Sequence, residues 1–319
     1  MAVDRGPVVV AAETDDQTAD LVIAELNQRN VSVIRFNPGD IGQRLAISAR
    51  FGAHPGTPAG PVRTPSRTAD LAEIRSVYWR RPTWPAFEHL DEPDARFAAA
   101  QVRHGLGGVL YALHDCLHVN HPLRNFEAEY KPLQLAVAQR MGLNVPPTLI
   151  ANDLDAVRAF IAAHGEVVHK VLRWTPYRQG AVGLTTWTEP VTEGELDESI
   201  TVVPHLFQAR VNKVADLRVV VVGGKVFAIR IDSDLLDWRT DYDVLSYSVV
   251  DLPSRLEKTL IAYLEHFRLA SGSFDLCVDR EGEFHWLELN PNGQWGWLED
   301  QTGLKLAAAF AELLMRGGS

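Results

Sequence analysis

The spacing of hydrophobic positions changes along the chain, and the elements follow from it. Val8–Ala12 is a short β-branched run with no polar break, the pattern of a buried strand. Thr18–Arg29 places Leu21, Val22, Ala24 and Leu26 at helical spacing, and Val31–Phe36 reads as a second strand. A strand–helix–strand opening predicts an α/β layer built on a parallel sheet. The stretch AAETDDQT after the first strand contains no glycine, so the phosphate-binding fingerprint of dinucleotide folds is missing. Residues 52–68 are rich in Pro, Gly and Thr and predict a loop with a hairpin edge. Ser76–Trp79 is a further strand ending in Arg80-Arg81-Pro82. Pro82, Pro85 and Pro93 are then expected to break regular structure before a long helix over Ala95–Leu113.

Beyond residue 120 the pattern alternates again. Asn125–Met141 predicts one amphipathic helix stopped by Gly142. Thr148–Ala151 is a strand, and Asn152 or Asp153 caps a helix over Leu154–His164. Glu166–Leu172 is a strand, followed by a polar, Gly-containing loop at 173–187. Strand patterns dominate from Ile200 to Ile231. Ser254–Arg268 is helical, two strands occupy 273–290, and Leu304–Met315 is a final helix. We expect three units: an N-terminal α/β domain at 1–120, a central subdomain at 121–203 and a C-terminal subdomain at 204–319.

Composition narrows the function classes. The 319 residues carry 31 basic and 41 acidic side chains, a net charge of −10, which argues against nucleic acid or an anionic membrane as the main partner. Two cysteines, Cys116 and Cys277, form no CxxC, so neither a zinc site nor a disulfide framework is expected. The histidines lack HxxH and HExxH spacing, and no Ser-His-Asp pattern emerges. No apolar run has the length of a membrane span or a signal peptide. The expectation is a soluble, cytoplasmic protein.

The stretch HWLELNPNGQWGWLE, 285–299, reads as a buried strand that nevertheless keeps Glu288 and Asn290 two residues apart. Phe274–Asp279 and Phe284–Asn290 flank Arg280-Glu281-Gly282-Glu283, the pattern of a hairpin. If that loop has four residues, Asp279 pairs with Phe284 and Asp275 falls opposite Glu288, on one face with Asn290. Two carboxylates and an amide oxygen suit Mg²⁺, which completes its shell with water and phosphate. The other reading is the wet face of a half-exposed sheet. Lys131, Lys170 and the glycines Gly180 and Gly183 of the 173–187 loop could meet phosphates. Taken singly, each lysine reads more readily as a surface charge, Lys131 on a solvated helix face and Lys170 at a strand end. Of the tryptophans, Trp79, Trp84, Trp286, Trp295 and Trp297 are assigned mainly to core, while Trp174 and Tyr177 sit where a lid or a substrate contact would be.

Taken together, the order of these features resembles the ATP-grasp superfamily. It runs from a helix lysine through a strand lysine, a Gly loop and a hinge strand (VVPHLFQARV) to Asp…Glu-x-Asn. ADLRVVVVGGKVFAIRI is similar to the Asp-x-Arg segment of RimK-like ligases. YWRRP at 78–82, N-x-x-A-x-x-K at 125–131, Phe207-Gln208, DWR at 237–239 and ELNPNGQWGWLE resemble graspetide synthetases, the microviridin-type peptide maturases. Ala209 departs from the acidic residue many of those relatives carry after the hinge Gln.

The resemblance implies an α/β (α+β) ATP-grasp fold with ATP and Mg²⁺ as cofactors. It also implies a homodimer acting on a ribosomally made precursor peptide, leader plus core. In that reading Asp275, Glu288 and Asn290 hold the metal. Lys131, Lys170, Gln208, Ala209, Val211, Asp216, Gly180 and Gly183 bind the nucleotide. Arg218, Arg230 and Arg239 serve catalysis, and Arg80, Arg81 and Asp237 face the peptide. Asn292 and Gln294 are secondary candidates near the phosphates. The implied chemistry is activation of an Asp or Glu side chain as an acyl phosphate, then ring closure by a Ser, Thr or Lys side chain. A RimK- or glutathione-synthetase-like ligase that adds an amino acid is one alternative. A non-catalytic ATP-binding regulator is another.

Overall fold

The computed structural model describes residues 6–52, 56–173, 175, 177–179, 182–184 and 186–318. The N-terminal strands Val8–Ala11, Val33–Phe36, Ser76–Trp79 and Leu117–Val119 form a parallel sheet, with Val8–Ala11 and Ser76–Trp79 at its centre. The central strand Val8–Ala11 is fully buried, as its unbroken apolar run requires. The helix Gln17–Gln28 between the first two strands starts where the Asp16 carboxylate accepts from Ala19 N at 2.7 Å. The 52–68 region contributes more order than a loop. Pro61–Arg63 and Thr68–Asp70 pair with each other, and Ala46–Ile47 joins them in a small antiparallel sheet. The long helix begins at Glu92 rather than Ala95, because Pro93 sits in the first turn, where its missing N–H costs nothing.

The helix expected over Asn125–Met141 is two helices, Pro122–Ala128 and Lys131–Arg140. Pro132 explains the break. It cannot continue a helix from behind but is suited to the first turn of a new one, which makes Lys131 an N-terminal residue.

The central sheet runs Glu189–Val191, Val167–Lys170, His205–Ala209, Thr148–Ala151, all antiparallel. His205–Ala209 therefore belongs to the central unit, although the boundary at 204 gave it to the C-terminal one. Phe207 packs with Val157, Val167 and Ile200 beneath the helix Leu154–His164 and ties the strand to that core. The 173–187 stretch carries a short hairpin of Tyr177–Gln179 and Val182–Leu184.

The C-terminal sheet is ordered Ser246–Val250, Lys225–Asp232, Lys213–Val222, Ser271–Asp279, Phe284–Asn290, again all antiparallel. Gly223 and Gly224 have φ of 54° and 86° and close a two-residue turn in which Val222 pairs with Lys225. One face of this sheet packs on the helix Ser254–His266 through Leu217, Val219, Phe274, Tyr263 and Trp286. The other face covers Val220, Val222 and Ile229 with the C-terminal helix Leu306–Arg316, which also packs against the N-terminal sheet and Gln17–Gln28. That shared core fixes the N-terminal domain against the sheet carrying the candidate metal residues.

Candidate active site

A cleft of about 550 Å³ opens between the central and C-terminal sheets, and the N-terminal domain adds Arg81 to its lining. Its acidic wall is the hairpin of Ser271–Asp279 and Phe284–Asn290. Asp275 does pair with Glu288, but by a different route from the one expected. The turn is longer by one residue: Val278 pairs with Phe284, and Asp279 N donates to Glu283 O at 3.1 Å. Unbroken, that register would set Asp275 opposite Leu287. A β-bulge between the Leu276–Trp286 and Asp275–Glu288 pairs takes up Leu287 and shifts the pairing back by one. The bulge lets Trp286 and Leu289, three residues apart, both reach the core. A regular strand would turn one of them outward, forfeiting about 1.5–3 kcal/mol of burial.

The acidic wall is filled with donors. Asn290 Nδ2 lies 2.9 Å from Asp275 Oδ2 and 3.3 Å from Glu288 Oε1. Lys131 Nζ is 2.8 Å from Glu288 Oε2, and Arg239 Nη1 is 3.6 Å from Glu288 Oε1. Arg218 Nη1 donates to Asp275 Oδ1 at 2.7 Å. Burial raises both carboxyl pKa values. For Glu288 the Lys131 and Arg239 charges outweigh burial and hold it well below the carboxylate range, whereas Asp275 stays raised against Arg218. Two neighbouring carboxylates are thus pushed in opposite directions.

Lys170 and Gln208 form the facing wall. Lys170 Nζ donates to Gln208 Oε1 at 2.8 Å, and Gln208 Nε2 donates to Thr148 Oγ1 at 2.9 Å. Burial pushes the Lys170 pKa down to about 8, against the pull of Glu288. Ala209 and Val211 continue this wall. Asp216 is buried, and burial lifts it to about 6 although Lys213 bonds to it. Lys213 escaped the sequence reading. Three positions before Asp216 in a regular strand it would face away, but an irregularity between Lys213 and Ala215 brings it round.

Several expected residues go elsewhere. Arg230 pairs with Leu217, so it lies on the sheet face opposite Arg218 and bonds to Asp232 at 2.8 Å. Asp237 is buried in the lining of the cleft, with its carboxylate occupied by Arg239. Its carboxylate grips Arg239 through Nε at 2.8 Å and Nη2 at 2.7 Å, and that grip overrides burial and lowers it to about 2. Arg80 is also buried, bonded to Asn292 O at 3.0 Å and to the Gln294 side chain. Gly183 lies in the strand Val182–Leu184, while Gly180 and Trp174 fall outside the described residues. Trp297 packs against the core as expected and also lines the cleft, with its ring 5.6 Å from that of Tyr242.

Among the described residues no three His, Cys, Asp or Glu side chains cluster as a metal site. The candidate donors are two carboxylates and one amide, few enough to leave positions for water and phosphate oxygens, as Mg²⁺ requires. The ammonium and amide N–H groups already gathered on both carboxylates mark a place built for positive charge. Turning the Asn290 amide over would offer its oxygen there.

A central antiparallel sheet, a C-terminal sheet ending in the carboxylate hairpin, and an N-terminal parallel sheet joined to it by a shared core form an architecture found in solved structures. An ATP-grasp ligase of Chryseobacterium gregarium, associated with ribosomally synthesised, modified peptides, superposes with a TM-score of 0.88 at 26% identity. The match covers 98% of this chain and 97% of that one. This is the ATP-grasp fold. The macrocyclase MdnC of Microcystis aeruginosa matches at TM-score 0.86 and 26% identity over 97% of this chain and 99% of that chain. MdnB of the same organism matches at 0.82 and 25% over the same shares. The C. gregarium ligase was solved with ADP and a leader and core peptide, and MdnC with its precursor MdnA. No protein-family model and no curated protein matches the chain. The chain resembles these ATP-grasp peptide-modifying ligases over nearly the full length of both. No described helix is long and apolar enough to cross a membrane.

Proposed function

We propose that this chain is an ADP-forming ligase that closes ester or amide rings between side chains of a ribosomally made precursor peptide. ATP and Mg²⁺ are its cofactors, and we read it as a cytoplasmic homodimer. The observation that carries the reading is the single wall on which Asp275, Glu288 and Asn290 meet Lys131, Arg218 and Arg239, facing Lys170 across the cleft.

A peptide carboxylate attacks the γ-phosphate of ATP, giving an acyl phosphate and ADP. A hydroxyl or amine of the same peptide then attacks the acyl carbon, and phosphate leaves, so the peptide loses one water per ring. The first step brings anion to anion. Asp275, Glu288 and Asn290 would hold a divalent metal ion, which would supply Lewis-acid charge stabilisation to the phosphates when bound. Lys131 and Lys170 neutralise the phosphates from either side. Arg218, fixed by Asp275 and by Gln294 O at 3.1 Å, meets the charge that develops on the transferred group. Arg239, held rigid by Asp237, presents its remaining N–H groups to the acyl phosphate. Gln208, Ala209 and Val211 form the nucleotide's base-side wall.

The test is incubation of the protein with ATP, Mg²⁺ and the Asp- and Glu-containing peptide encoded beside its gene, followed by mass spectrometry and an ADP assay. Loss of water with stoichiometric ADP is expected. A gain of an amino-acid mass would make it an amino-acid ligase, and no ADP with the neighbouring peptide would remove the catalytic reading.

A further inference from the structure

We infer that Arg81 binds a carboxylate of the peptide substrate and that Arg80 positions it; this rests on the function proposed above and names the side chain that recognises the peptide's acidic residues.

Each of the other cations of the cleft has a partner, Arg173 with Glu129 and Arg210 with Glu166 among them. Lys131 pairs with Glu288, Lys213 with Asp216, Arg218 with Asp275 and Arg239 with Asp237. Lys170 holds Gln208 beside the carboxylate wall. Arg81 lines the same cleft and is exposed; the Asp16 and Glu13 charges favour its protonated form and Arg80 opposes it, but among the described residues its guanidinium has no ion pair or hydrogen bond. The chain as a whole carries a net charge of −10, so an acidic peptide is repelled except where cations are uncommitted. A free guanidinium offers a carboxylate two parallel N–H donors.

The backbone delivers Arg81 at a cost. Its φ is +45°, a left-handed conformation that a long side chain avoids and that persists only where the surroundings impose it. Arg80 supplies that constraint. Its amide donates to Ala11 O at 2.8 Å, and its side chain reaches Asp16 at 3.6 Å, Asn292 O at 3.0 Å and the Gln294 side chain. Asn292 lies two residues beyond Asn290. The strand end bearing Arg81 is thereby pinned to the turn that leaves the acidic wall. It is also the carboxyl end of a parallel strand, where open α/β sheets receive ligands.

Arg81→Asn tests the assignment without endangering the fold, since Asn tolerates a positive φ. The probe is the peptide encoded beside the gene, with the wild-type protein run in parallel. In the variant we expect KM for the peptide to rise by roughly tenfold or more, the loss of one charge-assisted contact. Melting temperature and the Kd of a fluorescent ATP analogue should stay unchanged, and Arg81→Lys should restore part of the affinity. Arg80→Met should raise the same KM, and that increment should vanish when combined with Arg81→Asn, a non-additivity that general destabilisation would not produce. An unchanged peptide KM in Arg81→Asn, or a weakened nucleotide Kd, overturns the inference. A wild-type protein that leaves the peptide unprocessed overturns instead the function on which it rests.

Discussion

Lys131 Nζ stands 2.8 Å from Glu288 Oε2, so the ammonium expected to meet ATP phosphates also pairs with a candidate metal-binding carboxylate. A divalent cation arriving alone must compete with that charge and with Arg239. A nucleotide brings phosphates that can take Lys131 over. Lys131→Met removes the competitor and leaves Glu288 under-compensated. We expect Mn²⁺ binding without nucleotide, followed by electron paramagnetic resonance or calorimetry, to tighten by about tenfold, as a difference of about 1.4 kcal/mol would give. ATP-dependent turnover should fall in the same variant. Equal Mn²⁺ affinity in both proteins would separate Lys131 from the metal site.

Glu288→Gln keeps the shape of the side chain and removes its charge. Mass spectrometry should show ATP-dependent water loss reduced at least about a hundredfold, the scale of deleting one preorganised electrostatic partner. Circular dichroism should show the fold retained. Near-normal processing would remove Glu288 from the metal set.

The carboxylate hairpin shows how far the sequence could be read. A four-residue turn and an unbroken ladder pair Asp275 with Glu288, and so does the structure, because two offsets of one residue cancel: the turn holds one residue more, and the bulge at Leu287 returns it. The bulge had a visible sign, because Trp286 and Leu289 are too large and apolar to sit on opposite faces of a strand with one buried side. Arg230 was also legible. A two-residue Gly-Gly turn fixes Val222 against Lys225, and counting back sets Arg218 opposite Ile229 and Arg230 opposite Leu217. What no local pattern carried was the long-range wiring. Arg80 meeting Asn292 and Lys131 meeting Glu288 join positions more than 150 residues apart, and only the packed domains decide them.

Arg239→Ala leaves Asp237 buried without its bidentate partner. A hydrogen bond to a charged group contributes about 1.5–3 kcal/mol, so the melting temperature should fall. Peptide processing should weaken while nucleotide binding persists. Arg239→Lys should recover little, because an ammonium cannot reproduce the two-pronged contact. Equal loss of peptide processing and nucleotide affinity would move Arg239 to the nucleotide site.

Lys170 gives a pH dependence with a definite sign. Its pKa is about 8 in the folded protein against an ordinary value of 10.5. Between these values the unfolded chain binds more protons, so this group's contribution to stability rises with pH across that window, and below it the buried charge is a standing cost. Phosphates beside Lys170 favour its charged form. Nucleotide binding should therefore take up protons near pH 8 and weaken as pH climbs through 8 to 9. Calorimetry in two buffers of different ionisation enthalpy measures the uptake, which Lys170→Met should abolish.

Gly293 sits where the turn after Asn290 crosses Arg218. A Cβ there would lie 2.5 Å from Arg218 Nη2 and 2.6 Å from Ser273 Cβ. Arg218 cannot step aside freely, since it is buried and bonded to Asp275 and to Gln294 O. Gly293→Ala should cost about 1–3 kcal/mol through overpacking and should lower turnover by displacing the guanidinium from Asp275. Gly105→Ala is the counterpart. It lies in the helix Glu92–Tyr111 with open space where its Cβ would be, so the added methyl should stabilise by about 0.4–1 kcal/mol and leave turnover unchanged. Thermal melts of the two variants moving in opposite directions, with only Gly293→Ala losing activity, would tie the loss to Arg218. A Gly293→Ala protein of normal stability and rate would show that the turn has room the structure does not give it.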